Sequence, residues 1–255
     1  MSKQGATRGP RWGWMIAAAL AIIPVLGVGI GTVITSSGST PPPSAPTTLP
    51  EESPRYVVVA GQGGSERAVD GKTPIRYQHD CEGAIAAATN YVSSATRMEW
   101  VRPYGDKLIG QITDAGAESM ESHREGMRTA VNSGIALEPH PEWGGFQVLA
   151  CDPHSATINL WECMVVRSGD DPQRTCTTAA TVVTWAADDW KLRRYETLPE
   201  DHVPGDTLDA VPGDAPLPAD QRREALRAAG PGWQEYSNAP QDVENEASSR
   251  SLSSR

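Results

Sequence analysis

The spacing of apolar residues changes character several times along the chain, and each change predicts a different element. Residues 15–34 form an unbroken uncharged run of 20 residues from Met15 to Ile34. At a helical rise of about 1.5 Å per residue, about 20 apolar residues cross a hydrocarbon layer of about 30 Å. Pro24, Gly27, Gly29 and Gly31 lie inside the run, and both residue types are common in membrane helices. The pattern therefore predicts one transmembrane helix over 15–34. The alternative is a cleaved secretory signal peptide, whose apolar core is shorter, about 7–15 residues, and ends in a small-x-small cleavage site. Val33-Ile34-Thr35-Ser36-Ser37 fits such a site poorly. Residues 35–55 are rich in Pro, Ser and Thr, a composition that favours an extended linker over a core.

Helical periodicity begins near residue 80. Asp80 is a good N-cap residue, and Ile85, Ala88, Val92 and Ala95 recur at helical spacing in an alanine-rich stretch expected to run to about Met98. A short helix carrying Leu108, Ile109 and Ile112 follows Pro103. A third, about Ala115 to Val131, places Ala117, Met120, Met127 and Val131 on one stripe and Glu118, Glu121, His123, Arg124, Glu125 and Arg128 on a solvated face. From Ile135 the period moves toward 2. Strands are expected at Phe146–Cys151, at Ala156–Val166, at Thr175–Trp185 and at Trp190–Tyr195, with turn signals at Asp152-Pro153 and Asp188-Asp189. On the second strand Ile158, Leu160 and Met164 share one face, and Trp161, Cys163 and Val165 share the other. A two-residue turn at Ala187-Asp188 sets Trp185 opposite Trp190, a favourable cross-strand aromatic pair. Helices followed by hairpin-linked strands predict an α+β domain with N-terminal helices packed on an antiparallel sheet of about four strands.

Composition adds boundaries. The expected organisation is a cytoplasmic stub at 1–14, the membrane helix at 15–34, the linker at 35–55, a folded domain at 56–198 and an acidic tail at 199–255. The stretch from 196 to the C-terminus holds 12 acidic and five basic residues among many Pro, Gly and Ser. Most of the tail is expected to be disordered, with a short helix at about 219–229. Trp233 and Tyr236 stand out in that polar tail as candidate docking residues, either for the domain itself or for a partner.

Charge sets orientation. Lys3, Arg8 and Arg11 precede the apolar run, and the first charges after it are Glu51 and Glu52. This asymmetry predicts a cytoplasmic N-terminus and an extracytoplasmic domain at the cell membrane. The formal net charge is −10, so the part beyond the three leading bases stands at −13. An acidic exported domain argues against nucleic acid as a partner.

All four cysteines, Cys81, Cys151, Cys163 and Cys176, follow the apolar run. An even count outside the cytoplasm favours disulfides, and three pairings are open. If the strands around Cys163 and Cys176 form a hairpin, those two can face each other and leave Cys81 with Cys151. The register is not fixed by sequence.

The search for chemistry finds no site. Gly61-Gln62-Gly63-Gly64 lacks the Gly-x-Gly-x-x-Gly spacing and the lysine of a phosphate loop and is read as a plain loop. His79, His123, His140, His154 and His202 are scattered; the last three lie in turn-like or tail-like segments, and His123 fits no metal-ligand spacing. The adjacent Asp188 and Asp189 are expected to point outward from a turn. No catalytic residue, metal site or cofactor is expected.

Two stretches carry a resemblance. Trp185-Ala-Ala-Asp-Asp-Trp-Lys-Leu192 is similar to the last hairpin of α+β roll proteins, the fold of ketosteroid isomerase and nuclear transport factor 2. Tyr77-Gln-His-Asp-Cys-Glu-Gly-Ala-Ile-Ala-Ala-Ala-Thr-Asn-Tyr91 resembles a helix start in a family of uncharacterised actinobacterial membrane-anchored proteins. The likeness covers about residues 73–195 and Tyr236-Ser-Asn-Ala-Pro240. It implies an α+β roll, with the antiparallel sheet curved, on a single anchor, similar in layout to inner-membrane scaffold proteins of conjugation and type IV-like secretion machines. Catalytic members of the roll fold carry acids, histidines or tyrosines in the cone between helices and sheet, and none is matched here. The expected function is a non-enzymatic scaffold or adaptor meeting other envelope proteins, with self-association also compatible. The alternative is a small-molecule-binding or enzymatic roll that uses the cone as a pocket.

Overall fold

The computed structural model describes residues 54–97, 103–114, 118–169, 171–198, 204 and 207–241, all of which fall in one compact unit. The predicted membrane helix at 15–34 and the linker through residue 53 lie outside them. No helix among the described residues is long and apolar enough to cross a membrane.

The domain is α+β. Its elements run β1 (Glu66–Arg67), β2 (Pro74–Ile75), α1 (Cys81–Ala95), α2 (Gly105–Ile112), α3 (Glu118–Asn132), β3 (Ala136–Cys151), β4 (Ser155–Ser168), β5 (Asp171–Ala186), β6 (Asp189–Thr197), β7 (Thr207–Pro212), α4 (Ala219–Ala228) and β8 (Trp233–Glu235). β1 and β2 form a small antiparallel ribbon. The main antiparallel sheet has the order β6-β5-β4-β3-β8, and β7 adds to the outer edge of β5.

α1 starts where Asp80 Oδ1 accepts the Gly83 N–H at 2.7 Å, an N-cap that satisfies one of the free amides of the first turn. The helix is not amphipathic. Every residue from Gly83 to Ala95 is buried, so the predicted stripe of Ile85, Ala88, Val92 and Ala95 describes only part of its packing. Small side chains such as Ala84, Ala86, Ala87 and Ala88 let backbone and sheet approach closely all round. The sheet lies against one side, and residues 56–77 and Tyr236 cover the rest.

The strand parity read from β4 separates two cores. Ile158 and Leu160 join Phe146, Val183, Leu192 and α1 in the larger one. Trp161, Cys163 and Val165 point to the opposite face, where they pack with Trp143, Cys176 and Leu226 of α4. A helix therefore lies on each face of the sheet.

β3 begins ten residues before the predicted Phe146. Pro139, Pro141, Gly144 and Gly145 lower the strand signal, but each has a place. Among the described residues the outer edge of β3 is paired only at Gly145–Gln147, by β8, so a proline without an N–H interrupts no ladder on that edge. The register slips between His140 and Gly145. Within that bulge a Cβ on Gly144 would stand 1.7 Å from the Trp161 carbonyl oxygen, so only glycine fits.

The β5–β6 hairpin closes through Ala187 and Asp188, with φ of 52° and 59°, as a two-residue hairpin turn with positive φ at both positions requires. Trp185 and Trp190 sit in register, their rings 5.5 Å apart and edge to face. The non-glycine strain is steadied from outside: Arg76 Nη1 donates to Ala187 O at 2.8 Å.

The largest correction concerns the tail. The predicted helix is α4, but the residues on both sides of it belong to the fold as well. The chain passes from β7 across the second face of the sheet as α4, pairs with the far edge as β8, and inserts Tyr236 into the core around α1. Arg222, fully buried, fixes this strap. Its Nε donates to Glu235 Oε1 at 2.8 Å and its Nη2 to Pro240 O at 2.6 Å. Polar composition suggested disorder because the strap stabilises itself through paired charges and a few apolar anchors rather than a run of hydrophobic residues.

Candidate functional site

The most unusual titratable group lies inside the layer between α1 and the sheet. Glu162 has the same parity on β4 as Ile158 and Leu160 and is only 5 % exposed. Its Oε1 has no hydrogen-bond partner among the described residues. Removal from water disfavours the carboxylate, and burial pushes the Glu162 pKa up to about 8.

Two tyrosines stand within range of its charge. Burial, reinforced by Glu162, pushes the Tyr195 phenol up. Burial also raises Tyr236, whose hydroxyl lies 2.9 Å from Thr89 Oγ1. Since Thr89 Oγ1 donates to Ile85 O at 2.8 Å, its proton is already used, and Tyr236 is the donor of that pair. The His123 ring stands edge-on to Tyr195 at 5.3 Å, and its Nε2 is 3.3 Å from Ala95 O. Burial lowers the His123 pKa, so the ring is neutral and donates from Nε2 to that carbonyl. A protonated acid, two phenols and a neutral imidazole can bind and orient a neutral polar group. They do not supply a nucleophile beside a positioned base.

A second buried polar group is structural. Asp189 is fully buried, not pointing outward as its turn position suggested. It accepts from Tyr77 N–H at 3.0 Å, Tyr91 Oη at 3.1 Å and Lys191 Nζ at 3.1 Å. Lys191 also donates to Gln111 O, and Trp190 Nε1 donates to Gln78 O at 2.9 Å. The start of β6 is thereby pinned to the segment between β2 and α1, to α1 and to α2.

A surface cavity of about 250 Å³ opens between Val57–Val59, Gln62, Tyr77 and the first turn of α1. Its polar groups are engaged within the protein: Glu82 Oε1 accepts from Val57 N–H at 2.9 Å, and Tyr77 Oη accepts from Asn90 Nδ2 at 2.8 Å. The Gly61–Gly64 stretch beside it is a loop, with Gly61 N–H bound to Asn90 Oδ1 at 2.8 Å.

The cysteines form two disulfides, Cys81–Cys151 and Cys163–Cys176, and no cysteine is free. The second bridge joins directly opposed residues of β4 and β5, and the first ties α1 to the end of β3. Trp233 forms the start of β8, paired with Gln147, while Tyr236 is buried. Both aromatics meet the domain itself.

The histidines are dispersed. His79 stacks on Trp185 at 3.8 Å. His140, expected in a turn, lies on β3, stacked on Trp143 at 3.8 Å, with Nδ1 3.0 Å from Glu142 Oε1. His123 and Arg124, expected on a solvated face, are half-buried. His154 lies in the exposed turn before β4, and His202 is outside the described residues. Among the described residues no group of three potential ligands could hold a metal ion.

Sequence reasoning missed Glu162 and its neighbours. The signal was strand parity: a glutamate in phase with Ile158, Leu160 and Met164 must face the same core. Tyr195 carries a similar signal, opposite Thr181 on β5.

No curated protein and no solved structure matches the chain. One family model does, over residues 56–213, which takes in every element from β1 to β7 and leaves α4 and β8 outside. The chain belongs to the family described as Domain of unknown function (DUF8175).

Proposed function

We propose that this protein is an exported scaffold or adaptor domain, an α+β roll held at the cell surface by the apolar run at 15–34. The observation that carries the reading is the pairing of all four cysteines into two disulfides, which persist in oxidising compartments and are rare in the cytosol. Helices α1–α3 on one face of an antiparallel sheet support the roll. The resemblance at residues 77–91 and 185–192 supports an envelope role of the conjugation or type IV-like secretion kind. The domain also suits mechanical service at the end of a stalk, because residues 56–60, next to the Pro-rich stretch, are clamped by Gln234, Ser237 and Asn238. A reporter fused after Arg255 tests the topology: activity is expected only outside the cytoplasm, and cytoplasmic activity removes the reading. Crosslinking in intact cells should then recover other envelope proteins, and their absence removes the scaffold role.

A second reading rests on Glu162. A buried neutral acid beside Tyr195 and Tyr236 suits a small neutral ligand entering between α1 and the sheet. Ligand-induced stabilisation that vanishes in Glu162→Leu would favour it over the scaffold.

A further inference from the structure

Residues 54–60 behave as a bound peptide that happens to be covalently attached. Residues 54–59 form neither helix nor turn, Ala60 enters a turn, and residues far along the chain hold the backbone. Gln234 Oε1 accepts from Tyr56 N–H at 2.9 Å, and Gln234 Nε2 donates to Pro54 O at 2.9 Å. Ser237 donates from both N and Oγ to Val58 O, at 2.8 and 2.7 Å. Asn238 takes the next residue pair along, accepting from Ala60 N–H at 2.9 Å and donating to Ala60 O at 3.1 Å. From the other side Glu82 accepts Val57 N–H. Between these contacts Val58 and Ala60 are buried, at 3 % and 7 % exposure. The groove between α1 and the strap therefore reads an extended backbone with small apolar side chains at alternate positions.

The segment leaves the groove at a pivot. Gly61 has φ of +83° and nothing within 4 Å of its Cβ position. It is a corner of the turn closed by Gln62 N–H to Val59 O at 3.3 Å, with its own N–H on Asn90 Oδ1 at 2.8 Å, and a glycine can take another φ when that turn opens. Upstream, the 19 residues at 35–53 are rich in Pro, Ser and Thr and at full extension reach about 60 Å. An identical segment from a neighbouring chain meets the same groove partners, so exchange opens the Val59–Gln62 turn but costs no groove contact, and its balance is set by concentration. Val57, 72 % exposed, lies four residues before the pivot. We infer that the groove takes residues 54–60 of a second copy of this chain, giving a reciprocally exchanged dimer. The inference does not depend on the proposed membrane role.

The test uses two differently tagged full-length chains made together, one with Ala60→Cys and the other with Asn238→Cys. A mixed-tag species at twice the chain mass is expected on a non-reducing gel. A Val57→Cys and Leu149→Cys pair, both positions exposed, measures random collision. The double variant in one chain should link in either arrangement and shows that the two thiols can meet. A mixed-tag yield no greater than the collisional pair overturns the inference. So does a double variant that links only within one chain. A second measurement needs no substitution: the unmodified chain in detergent should have the mass of a dimer, and a strict monomer at all concentrations overturns the exchange. A dimer without the mixed-tag link also overturns it, since another surface must then join the copies.

Discussion

Asn238 and Ala60 are joined through both ends of one side-chain amide, although 178 residues separate them. Ala60 N–H donates to Oδ1 at 2.9 Å and Nδ2 donates to Ala60 O at 3.1 Å. An amide side chain here does what a neighbouring strand does elsewhere, satisfying both the donor and the acceptor of a residue, here one at the corner of the Val59–Gln62 turn. Replacing it leaves the Ala60 peptide groups to water or to nothing. Asn238→Ala is expected to lower stability by about 1–2 kcal/mol. In urea titrations the midpoint should fall at unchanged slope; an unchanged midpoint would show that the clamp contributes nothing.

Asp189 makes a sharper case because its partners include a charge. Asp189→Ala removes the acceptor for Tyr77 N–H and Tyr91 Oη and leaves Lys191, with 15 % of its side chain exposed, without that carboxylate. Breaking a buried pair from one side is expected to cost about 3–5 kcal/mol. Asp189→Asn keeps the shape and should cost less. Denaturant unfolding of both variants checks the order, and equal losses would mean that the charge is irrelevant.

The strap gives a third expectation. A chain ending at residue 213, where the family match ends, lacks α4, β8 and Tyr236. It uncovers Trp143, Trp161 and Val165 on one face of the sheet and opens the α1 core on the other. Such a chain is expected to bind hydrophobic dyes strongly and to lose its cooperative unfolding transition. A shortened chain that unfolds at the original midpoint would show that the strap is dispensable.

Much of the fold is legible in the sequence because local chemistry dictates it. The Asp80 cap, the β4 face parity, and the Ala187–Asp188 turn with its tryptophan pair each follow from a few adjacent residues. The elements that escape are those whose stability comes from distant partners. Pro139 and Pro141 weaken a strand unless its edge is free, and no local signal says which edge is free. The strap reads as disorder because Arg222 becomes a core residue only once Glu235 and the Pro240 carbonyl reach it. Asp189 reads as a surface turn residue because Tyr77 and Tyr91 arrive from over 90 residues away. Glu162 differs from all of these, since its parity does place it in the core, and a charged residue type conceals that placement.

The burial of Glu162 has a pH signature of definite sign. Its folded-state pKa of about 8 stands above the ordinary 4.5. Below the ordinary value both folded and unfolded chains hold the proton, and burial costs no ionisation energy. As pH rises beyond it the unfolded chain releases the proton while the folded chain keeps it, so stability falls until the folded group also ionises. The loss between about pH 4.5 and about pH 8 is on the order of 5 kcal/mol at most. His123 acts in the opposite sense: its pKa is lowered by burial, so stability is lost as pH falls below its ordinary 6.5. The native chain should therefore lose stability from about pH 6.5 to about pH 8, with His123 flattening the profile on the acid side. Glu162→Gln removes the titrating proton and keeps the shape. It should flatten the alkaline side and raise the urea midpoint at pH 8 while changing little at pH 5. Parallel profiles for the native chain and the variant would mean that Glu162 is ionised and solvated in the folded state, and the reading of the core as a neutral acid layer would fall with it.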